Sequence, residues 1–219
     1  DIGILTTNPT ARVRLPRVER YEARFLTPAE LERLAEVIRP PWRAMVLTMA
    51  YATLRIGEAA GLRRCDLDLD HARLRVANNL VVVHGRIIEG PPKTAAGRRA
   101  MTLPASIVDE LAGHLERFAG DPNVFSAPRG GPVHPDTWRH AIWAPAVRKA
   151  GLAPLRVHDL KHSGVAFLAA AGVDPGEVSR RAGHSSVAFT YDRYGHLFPE
   201  ADRTAADKLD RLRTDGLAT

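Results

Sequence analysis

The sequence predicts an α+β fold, mainly helical with a small three-stranded antiparallel sheet. Apolar residues recur at helical spacing in several separate segments, whereas branched residues concentrate between positions 74 and 103. Cap and turn signals punctuate the segments, among them Thr27-Pro28-Ala29-Glu30, His84-Gly85 and Asp174-Pro175-Gly176-Glu177. At 219 residues and 45% hydrophobic, the chain has material for one large domain, or a domain with appendages, around a real core.

Residues 1–24 have no sustained apolar period but carry Arg12, Arg14, Arg17, Arg20 and Arg24, and Pro9 and Pro16 discourage helix. They read as a basic linker or strap, or as an unstructured edge. The first helix starts at Thr27, with Pro28 suited to its first turn and Glu30 completing a capping box. Leu31, Leu34, Ala35 and Ile38 form its buried face. Pro40-Pro41 stops it and opens a second helix with Trp42, Met45, Val46 and Met49 inward. Strand character follows in Leu74–Val83, Arg86–Glu89 and Arg98–Leu103, with Pro91–Gly97 joining the last two.

Helical spacing returns at Ile107, Val108, Leu111, Leu115 and Phe118, and again at Trp138, Ile142, Trp143, Ala146 and Val147, where Gly151 ends the helix. A further helix opens at Arg156–Ser163 and runs to Ala171; residues 158, 161 and 162 share one of its faces. Asp174 begins a short helix ending at Gly183, and Ser186 can cap the next one, which carries Tyr194 at its far end. A last amphipathic helix spans about residues 200–213, with Ala205, Leu209 and Leu212 on one side.

The net charge of +6 points to an acidic partner, most simply nucleic acid; a basic but unspecialised surface is the alternative. Cys65 is the only cysteine, so no disulfide forms within one chain, which fits a reducing cytoplasm. The apolar runs are too short to span a bilayer, so no membrane is expected.

Chemistry-bearing residues cluster in a few stretches. Arg55 stands among apolar and small residues, where a guanidinium needs an acidic partner or an anionic ligand, and Glu58 is three residues on. Lys93 stands on the turn between two strands, His158, Lys161 and His162 lie on one helix, and His184 precedes Tyr194 by ten residues. A phenol is a weak nucleophile at neutral pH because its unperturbed pKa is about 10. It needs positive charge and a proton acceptor nearby.

In this order the motifs Leu-Arg-Ile-Gly-Glu, hairpin Lys, His-x-x-basic-His, Gly-His and Tyr resemble those of the tyrosine recombinases, the family of the phage integrases. The likeness runs from about residue 12 to 200 and implies that family's catalytic-domain fold. It implies that Tyr194 attacks a DNA phosphodiester to form a 3′-phosphotyrosyl link, with no metal, ATP or other cofactor. Arg55 matches the arginine that grips non-bridging oxygens, and Lys93 the lysine that protonates the leaving 5′-oxygen. His158 matches the histidine proposed to accept the tyrosine proton, and His184 the group that hydrogen-bonds the phosphate. Glu58 and His162 would support the site. Tyr194 fits the spacing better than Tyr191, which is expected to pack. The family also implies double-stranded DNA as partner, a homotetramer on paired sites for the full-length protein, and an N-terminal clamping domain to which residues 1–24 would lead. On this division 25–199 form the catalytic domain and 200–219 a helical tail, and the piece alone is expected to be monomeric.

The chemistry is sound on its own terms. In-line attack piles charge on the non-bridging oxygens, and fixed cationic donors aimed there lower the barrier. An arginine can give two parallel bonds to a phosphate. Lys161 departs from the family, which has a second arginine there; a lysine keeps the charge but loses the fork. A lost charged hydrogen bond costs roughly 1.5–3 kcal/mol, or about ten- to a hundredfold in rate. The expected result is a slowed or tuned enzyme; a recombinase-like DNA-binding protein without catalysis is the alternative. His158 and His162 also have the spacing of zinc peptidases, but Asp159 replaces the glutamate base and Lys161 would repel the metal. Arg12, Arg14, Arg63, Arg64, Arg98, Arg99, Arg139 and Arg148 are candidate phosphate contacts.

Overall fold

A computed structural model describes residues 10, 13, 23–118, 122–198 and 201–216, without the side chains of 201–205 and 216. Arg12, Arg14 and most of the expected basic linker lie outside the described residues.

Helix α1 (Pro28–Val37) begins with the capping box read from the sequence: Thr27 accepts from the Glu30 amide, and the Glu30 carboxylate accepts from the Thr27 amide. Helix α2 (Arg43–Tyr51) is the centre of the molecule. Every residue from Ala44 to Ala50 is buried, more than one apolar face would require, because other helices cover it on several sides. Helix α3 (Ile56–Ala60) is a short piece that turns the chain towards the sheet.

The strands depart from expectation. The run 74–83 divides at residues 77 and 78 into β2 (Arg73–Val76) and β3 (Asn79–Val83). Strands β1 (Leu67–Asp68), β2 and β5 (Arg99–Thr102) form the three-stranded antiparallel sheet, in the order β1-β2-β5. Strands β3 and β4 (Arg86–Gly90) form a separate hairpin. Lys93 therefore lies on a connection between strands that do not pair with each other. Leu74 stands opposite Met101 and Val76 opposite Arg99, and all four are buried. Period-two alternation thus sends Arg99 inward beside an arginine, Arg98, that faces out.

Helix α4 (Ala105–Arg117) packs on α2. The next helical run starts as α5 (Pro135–Trp138), passes through a π-helical turn at Arg139–Trp143 and continues as α6 (Ala144–Lys149). Helix α7 (Asp159–Ala170) lies against α2 so closely that a Cβ on Gly164 would strike the Ala50 carbonyl. Helices α8 (Pro175–Ala182) and α9 (Val187–Tyr194) close the unit, and α10 (Ala201–Gly216) follows with Leu209 and Leu212 exposed. Asp174 caps α8 through the amides of Gly176 and Glu177, whereas the Glu177 side chain turns to Arg180 rather than completing a box. A small second core of Val165, Val178, Ala182 and Tyr194 joins α7, α8 and α9. Among the described residues no helix is long and apolar enough to cross a membrane.

Candidate active site

The site is assembled from the start of α3, strand β5, the first turns of α7 and the α8–α9 segment. Arg55 is the residue just before α3, and its own amide donates to Glu58 at 2.8 Å while its guanidinium donates to the other carboxylate oxygen at 2.9 Å. Its side chain stays 43% exposed, so charge remains available to an anion. Glu58 is held from the other side by Arg99. All five N–H donors of Arg99 are spent: two on Glu58 and one each on the carbonyls of Gly97, Thr53 and Arg181. Burial alone would push the Glu58 carboxyl up, but the Arg99 hydrogen bonds and charge outweigh it and pull the pKa down to about 2. Arg99 is therefore not a phosphate contact; it is the buried support of Glu58 and, through it, of Arg55.

Gly183 belongs to the same support. It ends α8 with φ +62°, in the left-handed region that favours glycine, and an added Cβ would lie 2.9 Å from Nη1 of Arg99. The turn it makes delivers His184 into the site. His184 Nδ1 pairs with Thr190 Oγ1 at 2.9 Å, and the ring stacks on Tyr194 at 5.7 Å and 5°. Ser186 accepts from the Phe189 amide and starts α9 as the sequence indicates. Tyr194, the last residue of that helix, is only 2% exposed. Its hydroxyl lies 2.6 Å from His162 Nδ1. Tyr191, by contrast, is 50% exposed and rests near Phe198.

Burial raises the Tyr194 phenol to about 12, with the neighbouring Arg193 acting in the opposite direction. Burial, then the charges of His158, Arg193, Lys161 and His184, bring His162 down to about 4. Burial with Lys161, Arg55 and Arg99 does the same to His184, also to about 4. His158, exposed overall but partly desolvated where its ring lines the groove, is lowered by that desolvation, Lys161 and Arg55, against Asp159. The site is thus a cluster of neutral imidazoles and fixed cations around one phenol, with Arg55 within electrostatic reach of His158, His184, Lys161 and Tyr194.

Lys161 is buried and donates to the Ala182 carbonyl. Burial pulls its pKa well down, Glu58 opposes this, and Arg55 and Arg99 add to it. The Lys161 amino group thus stands beneath the site rather than at its surface. His158 lies exposed where α7 starts, its ring 4.7 Å from that of His162. Lys93 is exposed on its loop, and no described contact joins it to the histidine cluster. His162 has given Nδ1 to the tyrosine, and among the described residues no group of three or more His, Cys, Asp or Glu stands together as metal ligands.

A groove of about 710 Å³ opens beside Arg55 and His158. Arg139, Arg156, Asn79 and Val81 line it further along, and no lining residue is acidic. Of the other candidate contacts, Arg64, Arg98 and Arg148 are exposed, and Arg63 pairs with Glu89 at 2.6 Å. Sequence reasoning did not single out Arg156, Thr190 or Arg193 as parts of the site. Thr190 is six residues beyond His184, one segment of turn and helix that gave the only local signal for that pairing.

Residues 24–201 match the Phage integrase family, and the chain belongs to it. It is similar to a putative prophage phiRv2 integrase of Mycobacterium tuberculosis, 31% identical over 204 residues that cover 88% of this chain and 52% of the relative. It is also similar to the ICEBs1 integrase of Bacillus subtilis, at 29% identity over 225 residues, covering 95% of this chain and 60% of that one. The chain thus spans between half and two thirds of the length of these relatives. Its fold is similar to that of the Tn1549 transposon integrase in complex with circular intermediate DNA, with a TM-score of 0.74, 21% identity, and coverage of 87% and 68% of the two chains. The XerA recombinase shares it with a TM-score of 0.64 and 20% identity over 90% of this chain and 66% of that one.

Proposed function

We propose that this chain is the DNA-cleaving and rejoining part of a site-specific recombinase. Tyr194 is the nucleophile, forming a 3′-phosphotyrosyl link on double-stranded DNA and releasing a 5′-hydroxyl. The observation that carries this is a single phenol enclosed by His162 and His184 within reach of the Arg55 charge. Arg55, braced by Glu58, binds the non-bridging oxygens, and His184 donates to the same phosphate. Lys93 serves as the proton donor to the leaving 5′-oxygen, brought in by movement of its exposed loop. The covalent link conserves the bond energy, so rejoining needs no ATP. The acid-free groove beside Arg55 suits the DNA backbone, with Arg139 on its wall.

Residues 25–199 act as the catalytic domain, 1–24 as a basic link from a clamping domain and 200–219 as a helical tail, in a cytoplasmic protein that works as a tetramer on two duplexes. A duplex nicked just 3′ of the cleavage position traps the covalent adduct, because the short product diffuses away. Wild type is expected to form the adduct and Tyr194→Phe to form none. The inward placement of Lys161 favours one second reading, a DNA-binding member that does not cut. Absence of adduct from the wild type would support it.

A further inference from the structure

The resemblance assigns the tyrosine proton to His158, yet His158 stands exposed at the groove and His162 holds the phenol. His162 Nδ1 lies 2.6 Å from Tyr194 Oη, and both side chains are buried. A neutral phenol donates its proton in such a contact, so Nδ1 is the acceptor and the ring proton sits on Nε2. The stacked His184 ring, itself pinned by Thr190, sets the plane of the phenol and keeps Oη directed at His162.

The geometry points to His162 as the catalytic base for Tyr194, an assignment that rests on the recombinase reading above. As Oη attacks phosphorus its proton passes to Nδ1; the Oη–P bond forms, the P–O5′ bond breaks, and O5′ leaves with the electron pair and takes a proton from Lys93. His162 ends the step as imidazolium and Lys93 as free amine, and rejoining returns both protons. Its surroundings suit the role. The charged and titratable groups around the ring are His158, Arg193, Lys161, His184 and Tyr194, and with burial they hold it neutral, ready to accept. A phosphate arriving beside Arg55 brings negative charge against those cations and raises the ring's proton affinity as attack begins.

A ring that only packs against the phenol makes a different prediction from a base. Asparagine at 162 offers an amide oxygen that can hold the hydroxyl but cannot take its proton. The test compares wild type, His162→Ala, His162→Asn and His158→Ala on nicked duplexes tiled across the DNA flanking this chain's gene, with adduct formation followed between about pH 6 and about 9. The wild-type rate is expected to stay flat with respect to this group. Both His162 variants should fall about a hundredfold or more near neutrality. Each should then recover by about tenfold per pH unit as hydroxide replaces the base. His158→Ala should lose rate without gaining that slope. His162→Asn should melt at the wild-type temperature, which separates lost chemistry from lost folding should the alanine variant fail to fold. Wild-type rate in His162→Asn, or a uniform loss parallel to wild type at every pH, overturns the assignment while leaving the recombinase reading standing. No adduct from the wild type on any duplex overturns both.

Discussion

Arg99 grips both carboxylate oxygens of Glu58, at 3.1 and 3.0 Å, and each side chain is only 2% exposed. The pair is the buried end of a chain of contacts whose other end, Arg55, reaches the groove. Removing Arg99 takes the two buried donors from the Glu58 carboxylate and leaves it only the half-exposed Arg55 as a charged partner. Arg99→Ala should therefore destabilise the fold by about 3–5 kcal/mol, read as a lowered denaturant midpoint. Arg98→Ala, one residue earlier and exposed, should shift it by less than about 0.5 kcal/mol. Equal effects of the two would contradict the buried role.

The same pair makes stability depend on acid. The Glu58 pKa is about 2 in the folded protein, below the ordinary 4.5 it regains on unfolding. Its contribution is complete above about pH 5 and is lost as pH falls through the folded value, because protons then bind the unfolded chain first. The size is about 3 kcal/mol, at 1.36 kcal/mol per pKa unit. Unfolding curves for wild type and Glu58→Gln should converge between about pH 5 and about pH 2. Curves that stay parallel over that range would show that Glu58 is not the titrating group.

Lys161 holds the Ala182 carbonyl from beneath the site. An arginine there has donors enough to keep that bond and present a second N–H to phosphate. Lys161→Arg should accelerate adduct formation about ten- to a hundredfold, the worth of a charged hydrogen bond. An unchanged rate would mean that the lost fork does not limit cleavage.

Arg139 lines the groove and is exposed, although it also pairs with Asp136 at 3.0 Å. If it meets a phosphate, Arg139→Ala should reduce the slope of log affinity against log salt by about 0.9. Fluorescence anisotropy on duplex DNA at several salt concentrations measures this; an unchanged slope removes Arg139 from the interface.

Much of this was legible locally. Thr27 and Ser186 as caps, Gly183 as a terminator and Tyr194 at the end of its helix each follow from a few neighbouring residues. The placement of Arg99 was not, because two adjacent arginines look like a basic surface run until the pairing of β5 with β2 decides which one points in. Pairing between strands distant in sequence carries no local signature, which is also why β3–β4 was read as part of one sheet. Histidines 158 and 162 lie one turn apart on α7, and the sequence places both on the same face. Only the docking of α9 beside α7 and α8 decides that His162 meets the phenol.

The central claim is that the Tyr194 oxygen becomes bonded to DNA. Mass spectrometry of the trapped adduct, after protease and nuclease digestion, locates that bond directly. The account predicts a nucleotide attached through its 3′-phosphate to Tyr194. Attachment at Tyr191, a link through a 5′-phosphate, or a digest with no modified peptide would contradict it.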